Sequence, residues 1–106
     1  MYHISIVTTT LPDSMSKEEV MSFKSRFVKA KFSACAQSNK IHSTYSWDDE
    51  LLHPNEWRII FKTPVNKVDD LISALMKAHP YDVPQIVHRT EITTKEYSSW
   101  VEAQVS

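Results

Sequence analysis

The chain has 106 residues, a length that fits one domain spanning residues 1–106. A hydrophobic fraction of 42% with 24% charged residues excludes a disordered chain, and a formal net charge of -1 gives no bulk attraction toward nucleic acid or an anionic membrane. The single cysteine, Cys35, rules out an intrachain disulfide and points to a reducing, cytoplasmic setting, while the complete lack of glycine rules out a P-loop or a dinucleotide fingerprint.

The first stretch, Tyr2 to Thr9, alternates, with Tyr2, Ile4 and Ile6 on one side, and predicts a strand. It carries neither the basic start nor the cleavage pattern of a signal peptide, and no apolar run nears the roughly 20 residues that span a bilayer, so neither a leader nor a membrane span is expected. Leu11-Pro12-Asp13 is read as the break. Ser16 with Glu19 forms a capping box, and Val20, Phe23, Phe27 and Ala30 then recur at helical spacing. Ser33 to Trp47 reads as one long strand or two pieces, followed by turn residues at Asp48-Asp49 and His53-Pro54-Asn55. Glu56 to Thr63 is a strand with Trp57, Ile59 and Phe61 on one side. Pro64 ends it, and Asn66 is placed to cap a helix with an apolar stripe of Val68, Leu71, Ile72, Leu75 and Met76, stopped by Pro80. Val83 to Ile92 is the last strand. Thr93 with Glu96 offers a capping box before a short terminal helix bearing Tyr97, Trp100 and Val101.

The order β-α-β-β-α-β with a terminal helix is the ferredoxin-like pattern of an α+β fold. Two helices cover one face of its antiparallel sheet, so the other face is expected to find cover by assembly.

Two prolines bracket the segment His79-Pro80-Tyr81-Asp82-Val83-Pro84 in the link from helix to strand. There, His79 and Tyr81 either point into a ligand or metal cleft, or form a rigid helix stop; at a helix C-terminus the dipole favours a protonated His79. Cys35 is a soft metal ligand or a small buried hydrophobe. Lys62 is placed to bind an anion in a cleft between subunits, with His79 and Tyr81 as neighbours, or to pair with a carboxylate. His3, His42 and His88 lie on strands without ligand spacing, and His53 lies in a solvent-exposed loop beside Pro54. Tyr45, Trp47, Trp57 and Trp100 suit a core and a subunit interface better than a nucleic-acid platform, because basic residues are not clustered beside them. No nucleophile–base motif is present, so the reading is not an enzyme.

Six segments together resemble the CutA family: Ile6-Val7-Thr8-Thr9 with Pro12-Asp13, Phe32-Ser33-Ala34-Cys35-Ala36, Ser43-Thr44-Tyr45-Ser46-Trp47, Ile60-Phe61-Lys62-Thr63, the His79 to Pro84 block, and Tyr97-Ser98-Ser99-Trp100. The resemblance implies a ferredoxin-like homotrimer of PII-like architecture, linked to divalent-metal tolerance and in some members to copper binding. On that basis the metal candidates are His79 and Cys35, and the cleft candidates Lys62, Tyr81 and Trp47, with copper as the metal and none required for folding. The partners expected are the chain itself and a divalent metal ion. Three departures stand out. Relatives usually carry Trp-Glu-Gly-Lys where this chain has Trp47-Asp48-Asp49-Glu50. Copper-binding relatives can carry a cysteine at the position of Thr9 and a histidine at that of Ala78. Two other readings compete with copper: a PII-like module that holds a small anion or metabolite between subunits, and a protein-docking scaffold.

Overall fold

The structure, a computed structural model, describes residues 1–106. Its elements run β1 (Tyr2–Pro12), α1 (Lys17–Lys29), β2 (Cys35–His42), β3 (Tyr45–Trp47), β4 (Glu50–Leu52), β5 (Asn55–Thr63), α2 (Val68–Ala78), β6 (Ile86–Thr93) and α3 (Lys95–Val105). Four strands form an antiparallel sheet in the order β2-β5-β1-β6, and β3 and β4 form a separate two-stranded hairpin. This is the ferredoxin-like α+β arrangement, with β1 and β5 central.

Alternation along β1 sorts two cores. Val7 and Leu11, with Ile59 and Phe61 of β5, pack under α1 and α2 against Val20, Phe23, Phe27, Leu71 and Leu75. Ile4 and Ile6 point the other way and pack with Ala34, Val101 and Val105 of α3. The second sheet face is therefore partly covered from within the chain. Ile60 packs half-buried at the edge of this second core; beyond it, Ile41 remains half-buried and Val87 is exposed.

Several boundaries differ from the sequence reading, each for a local reason. β1 continues through Leu11 and Pro12, which pair with Trp57 and Glu56, because Leu11 is wholly buried and the strand end tolerates a proline. Ser33 to Trp47 is two pieces belonging to different sheets. Asn66 lies within a short 3-10 turn, Val65–Lys67, and does not cap α2. Thr94, not Thr93, caps α3 by accepting the Tyr97 N–H at 3.1 Å. β6 starts only at Ile86, after Pro84. The Ser16–Glu19 capping box is present as read.

Without glycine, three residues adopt positive φ: Lys31, Asp48 and Asp49. Asp48 and Asp49 are the two-residue connection from β3 to β4, with φ of 51° and 61°. Positive φ at both central residues is what a type I′ hairpin turn demands, and aspartate tolerates it better than most residues. Lys31 follows α1 with φ 63°. There the Phe32 N–H reaches the Phe27 carbonyl and the Lys31 N–H reaches that of Val28, a Schellman ending.

Candidate functional site

The link between α2 and β6 crosses the end of β1, and its side chains engage both central strands. The His79 Nδ1 accepts the Tyr81 N–H at 3.1 Å, which leaves the proton of a neutral ring on Nε2. That Nε2–H donates to Thr9 Oγ1 at 2.9 Å, and the Thr9 hydroxyl donates in turn to the Gln85 carbonyl at 2.7 Å. Thr9 is wholly buried, and the two hydrogen bonds it makes are part-buried. Burial holds the His79 pKa below its ordinary value of 6.5, opposed by the backbone of Thr10. The expectation of a protonated His79 is thus corrected: desolvation outweighs the helix end, and the Tyr81 N–H needs a bare Nδ1.

One step along the link, Tyr81 donates its hydroxyl proton to Glu56 Oε2 at 2.8 Å. Glu56 is only 6% exposed, a buried carboxylate at the start of β5 on the sheet face opposite Trp57, Ile59 and Phe61. Burial, followed by the hydrogen bond to Glu56 and its charge, raises the Tyr81 pKa, so the phenol stays a donor.

Above this pair opens a cleft of about 550 Å³. Thr10 of β1 and Glu56 form its floor, Tyr45, Trp47 and Leu52 of the hairpin one wall, and the link from Pro80 to Gln85 the other. Its aromatic side chains are Tyr45, Trp47 and Tyr81, and its acids are Glu56 and Asp82. The cleft contains no Lys, Arg or His.

Of the residues singled out from sequence, Tyr81 and Trp47 meet in this cleft. Lys62 does not join them. It pairs with Cys35 and Ile6 across the sheet, and its Nζ lies 5.8 Å from the Tyr97 ring centroid, beneath α3. Cys35 is there too, half-buried, with Sγ 3.8 Å from the Tyr97 hydroxyl. Burial and then the Cys35 contact raise the pKa of Tyr97. His79 reaches Thr9 from the α1–α2 side, whereas Cys35 lies on the α3 side, so the sheet separates the two metal candidates. Both His79 nitrogens are already engaged, and no group of three or more His, Cys, Asp or Glu is gathered to hold a metal. The donors of one chain therefore do not fit a copper site, which needs several N, O or S ligands.

Sequence reading missed Glu56 and Tyr45 as cleft residues. The signal available was an acid at the start of a strand, on the face opposite Trp57, Ile59 and Phe61, but its burial depends on the hairpin and the link folding toward it.

Fold and cleft together define a small α+β protein of ferredoxin-like, PII-like architecture. The model of the CutA1 divalent ion tolerance protein family matches residues 5–104, and the chain belongs to that family. The chain is similar to the divalent-cation tolerance protein CutA of Thermotoga maritima, with 31% identity over 94% of this chain and 97% of the relative. Among solved structures, CutA1 from Ehrlichia chaffeensis superposes with a TM-score of 0.88 at 29% identity, covering 100% of this chain and 98% of that one. The PII-like protein CutA from Nostoc shares the fold with a TM-score of 0.85 at 24% identity, covering 96% and 98%. CutA proteins are a tolerance and binding family, not a known family of enzymes.

Proposed function

We propose that the chain is the subunit of a cytoplasmic homotrimer that serves divalent-cation tolerance by binding a small ligand, with the cleft between the hairpin and the α2–β6 link as the receiving site. One observation carries this reading: a 550 Å³ cleft walled by Tyr45, Trp47 and Tyr81 and floored by buried Glu56. Small-molecule sites typically span about 300–1,000 Å³ and combine apolar walls with a few placed polar groups. The cleft offers no activated nucleophile, so binding rather than catalysis is its role. Assembly is supported by the sheet face that α3 leaves open, where Ile41 and Val87 await a neighbour. Thermal shift of the native protein against a metabolite panel tests the reading, because a ligand of the folded state alone must raise its melting temperature. A flat response across the panel overturns it, and light scattering should give the mass of three chains.

Copper is the second reading, motivated by the half-buried thiol of Cys35. It requires ligands from a neighbouring subunit, since His79 has no free nitrogen. Stoichiometric copper binding that is lost in Cys35→Ser would support it, and no binding at micromolar copper would remove it.

A further inference from the structure

We propose that the cleft recognises a small organic ammonium cation, held by the Glu56 carboxylate and the aromatic side chains of Tyr45, Trp47 and Tyr81. This rests on the reading of the cleft as a ligand site and names the chemistry of its ligand. The central fact is the state of Glu56. It is more than nine-tenths buried, and its one hydrogen bond within the chain comes from Tyr81, to Oε2. The ion pairs of the chain join Lys40 to Asp13 and Arg89 to Glu91, so Glu56 forms no salt bridge within its own chain, and no Lys, Arg or His lines the cleft. A buried carboxylate without a counter-charge is costly, and a cation entering the cleft removes that cost.

The lining decides which cation. A hard metal ion takes six or more oxygen ligands, and the cleft's two acids come with three aromatic residues instead. Aromatic rings attract a diffuse, weakly hydrated positive charge through their negative faces, which suits an alkylated ammonium. An anion is disfavoured by Glu56 and Asp82 with no base among the lining residues. Within one chain Lys62 lies beneath α3 and brings no positive charge to this cleft. Within one chain Trp47 and Tyr45 are 50% and 41% exposed, which leaves part of each ring uncovered by the chain's own side chains.

The test is a titration of the isotope-labelled full chain with tetramethylammonium chloride, followed by amide and indole NMR shifts, with sodium chloride at matched ionic strength as the control and inorganic phosphate as the anionic probe. Saturable shifts at Trp47, Glu56 and Tyr81 are expected with tetramethylammonium alone. Glu56→Gln, which keeps an acceptor for Tyr81, should weaken binding about tenfold, and Trp47→Ala on the exposed hairpin should do so by a similar factor. If phosphate moves these resonances and tetramethylammonium does not, the proposed ligand class is wrong while the cleft stands as a ligand site. If neither moves them, both fall. Full-strength binding in Glu56→Gln removes the role given to that carboxylate. If tetramethylammonium fails to bind and Glu56→Gln lowers the oligomer mass, the counter-charge comes from a neighbouring copy and the proposal is overturned.

Discussion

His79 Nε2 lies 2.9 Å from Thr9 Oγ1, and the contact explains why a histidine in this link is fixed rather than free. Thr9 occupies the position where copper-binding relatives can carry cysteine, as the family resemblance implies, and here its hydroxyl links His79 to the Gln85 carbonyl through two hydrogen bonds. Replacing Thr9 by valine keeps the shape but leaves the Nε2–H and the Gln85 carbonyl without their partner. The expected loss is about 1–3 kcal/mol, the cost of stranding buried polar groups. Thr9→Ser should restore most of it. Urea unfolding of the two variants beside the parent reads the difference, and equal stability of Val and Ser at this position would show the relay to be incidental.

The same relay fixes a pH dependence. Burial lowers the folded-state pKa of His79 below its ordinary 6.5, so between the two values the unfolded chain binds more protons than the folded one. Stability from this group is therefore fully present above pH 6.5 and is lost as pH falls through 6.5 toward the lower folded value. Protonation also removes the Nδ1 lone pair that receives the Tyr81 N–H. The slope of unfolding free energy between pH 7 and pH 5 should be shallower in His79→Gln than in the parent, about 25 °C being a suitable working temperature. An unchanged slope would show that His79 does not set the dependence.

Tyr81 and Glu56 make a pair whose two halves are not equivalent. Tyr81→Phe strands a carboxylate that is 6% exposed, with an expected cost of about 1–3 kcal/mol. Glu56→Gln retains a carbonyl acceptor and removes the buried charge, so it should cost less or even stabilise. Chemical denaturation of both variants and of the double variant measures the coupling. A Tyr81→Phe protein as stable as the parent would mean that solvent in the cleft replaces the phenol.

Much of this was legible in the sequence because it is local. The Ser16–Glu19 box, the Val20–Phe23–Phe27 stripe and the Trp57–Ile59–Phe61 alternation each declare an element from within a few residues, and their order yields the ferredoxin-like topology. The site is not local. Tyr81 and Glu56 are 25 residues apart in the chain, and Thr9 and His79 are 70 apart; only the β1–β5 register and the passage of the link over the end of β1 bring them together. Within one chain, strand alternation and the pairing of Lys62 with Ile6 carry it under α3, so its expected place beside Tyr81 depends on a neighbouring subunit. Position relative to α3 depends on that helix folding back over β1, which no short motif announces.

The absence of glycine leaves a measurable reserve of stability. Lys31 holds the left-handed position that ends α1, and a side chain there costs about 1 kcal/mol relative to glycine because its Cβ crowds the following carbonyl. Lys31→Gly should therefore stabilise the protein by up to about 1 kcal/mol, offset in part by the lost bond from Lys31 Nζ to the Ser106 carbonyl, which is exposed and worth little. Asp49→Gly at the hairpin turn should act in the same direction, since an Asp-Gly pair is favoured in a type I′ turn. The two sites lie on different elements, so their effects should add. Thermal unfolding of the single and double variants checks both claims. A destabilised Lys31→Gly would mean that the entropy regained by glycine in the unfolded chain exceeds the relief of strain, and that this helix end is less crowded than its φ of 63° implies.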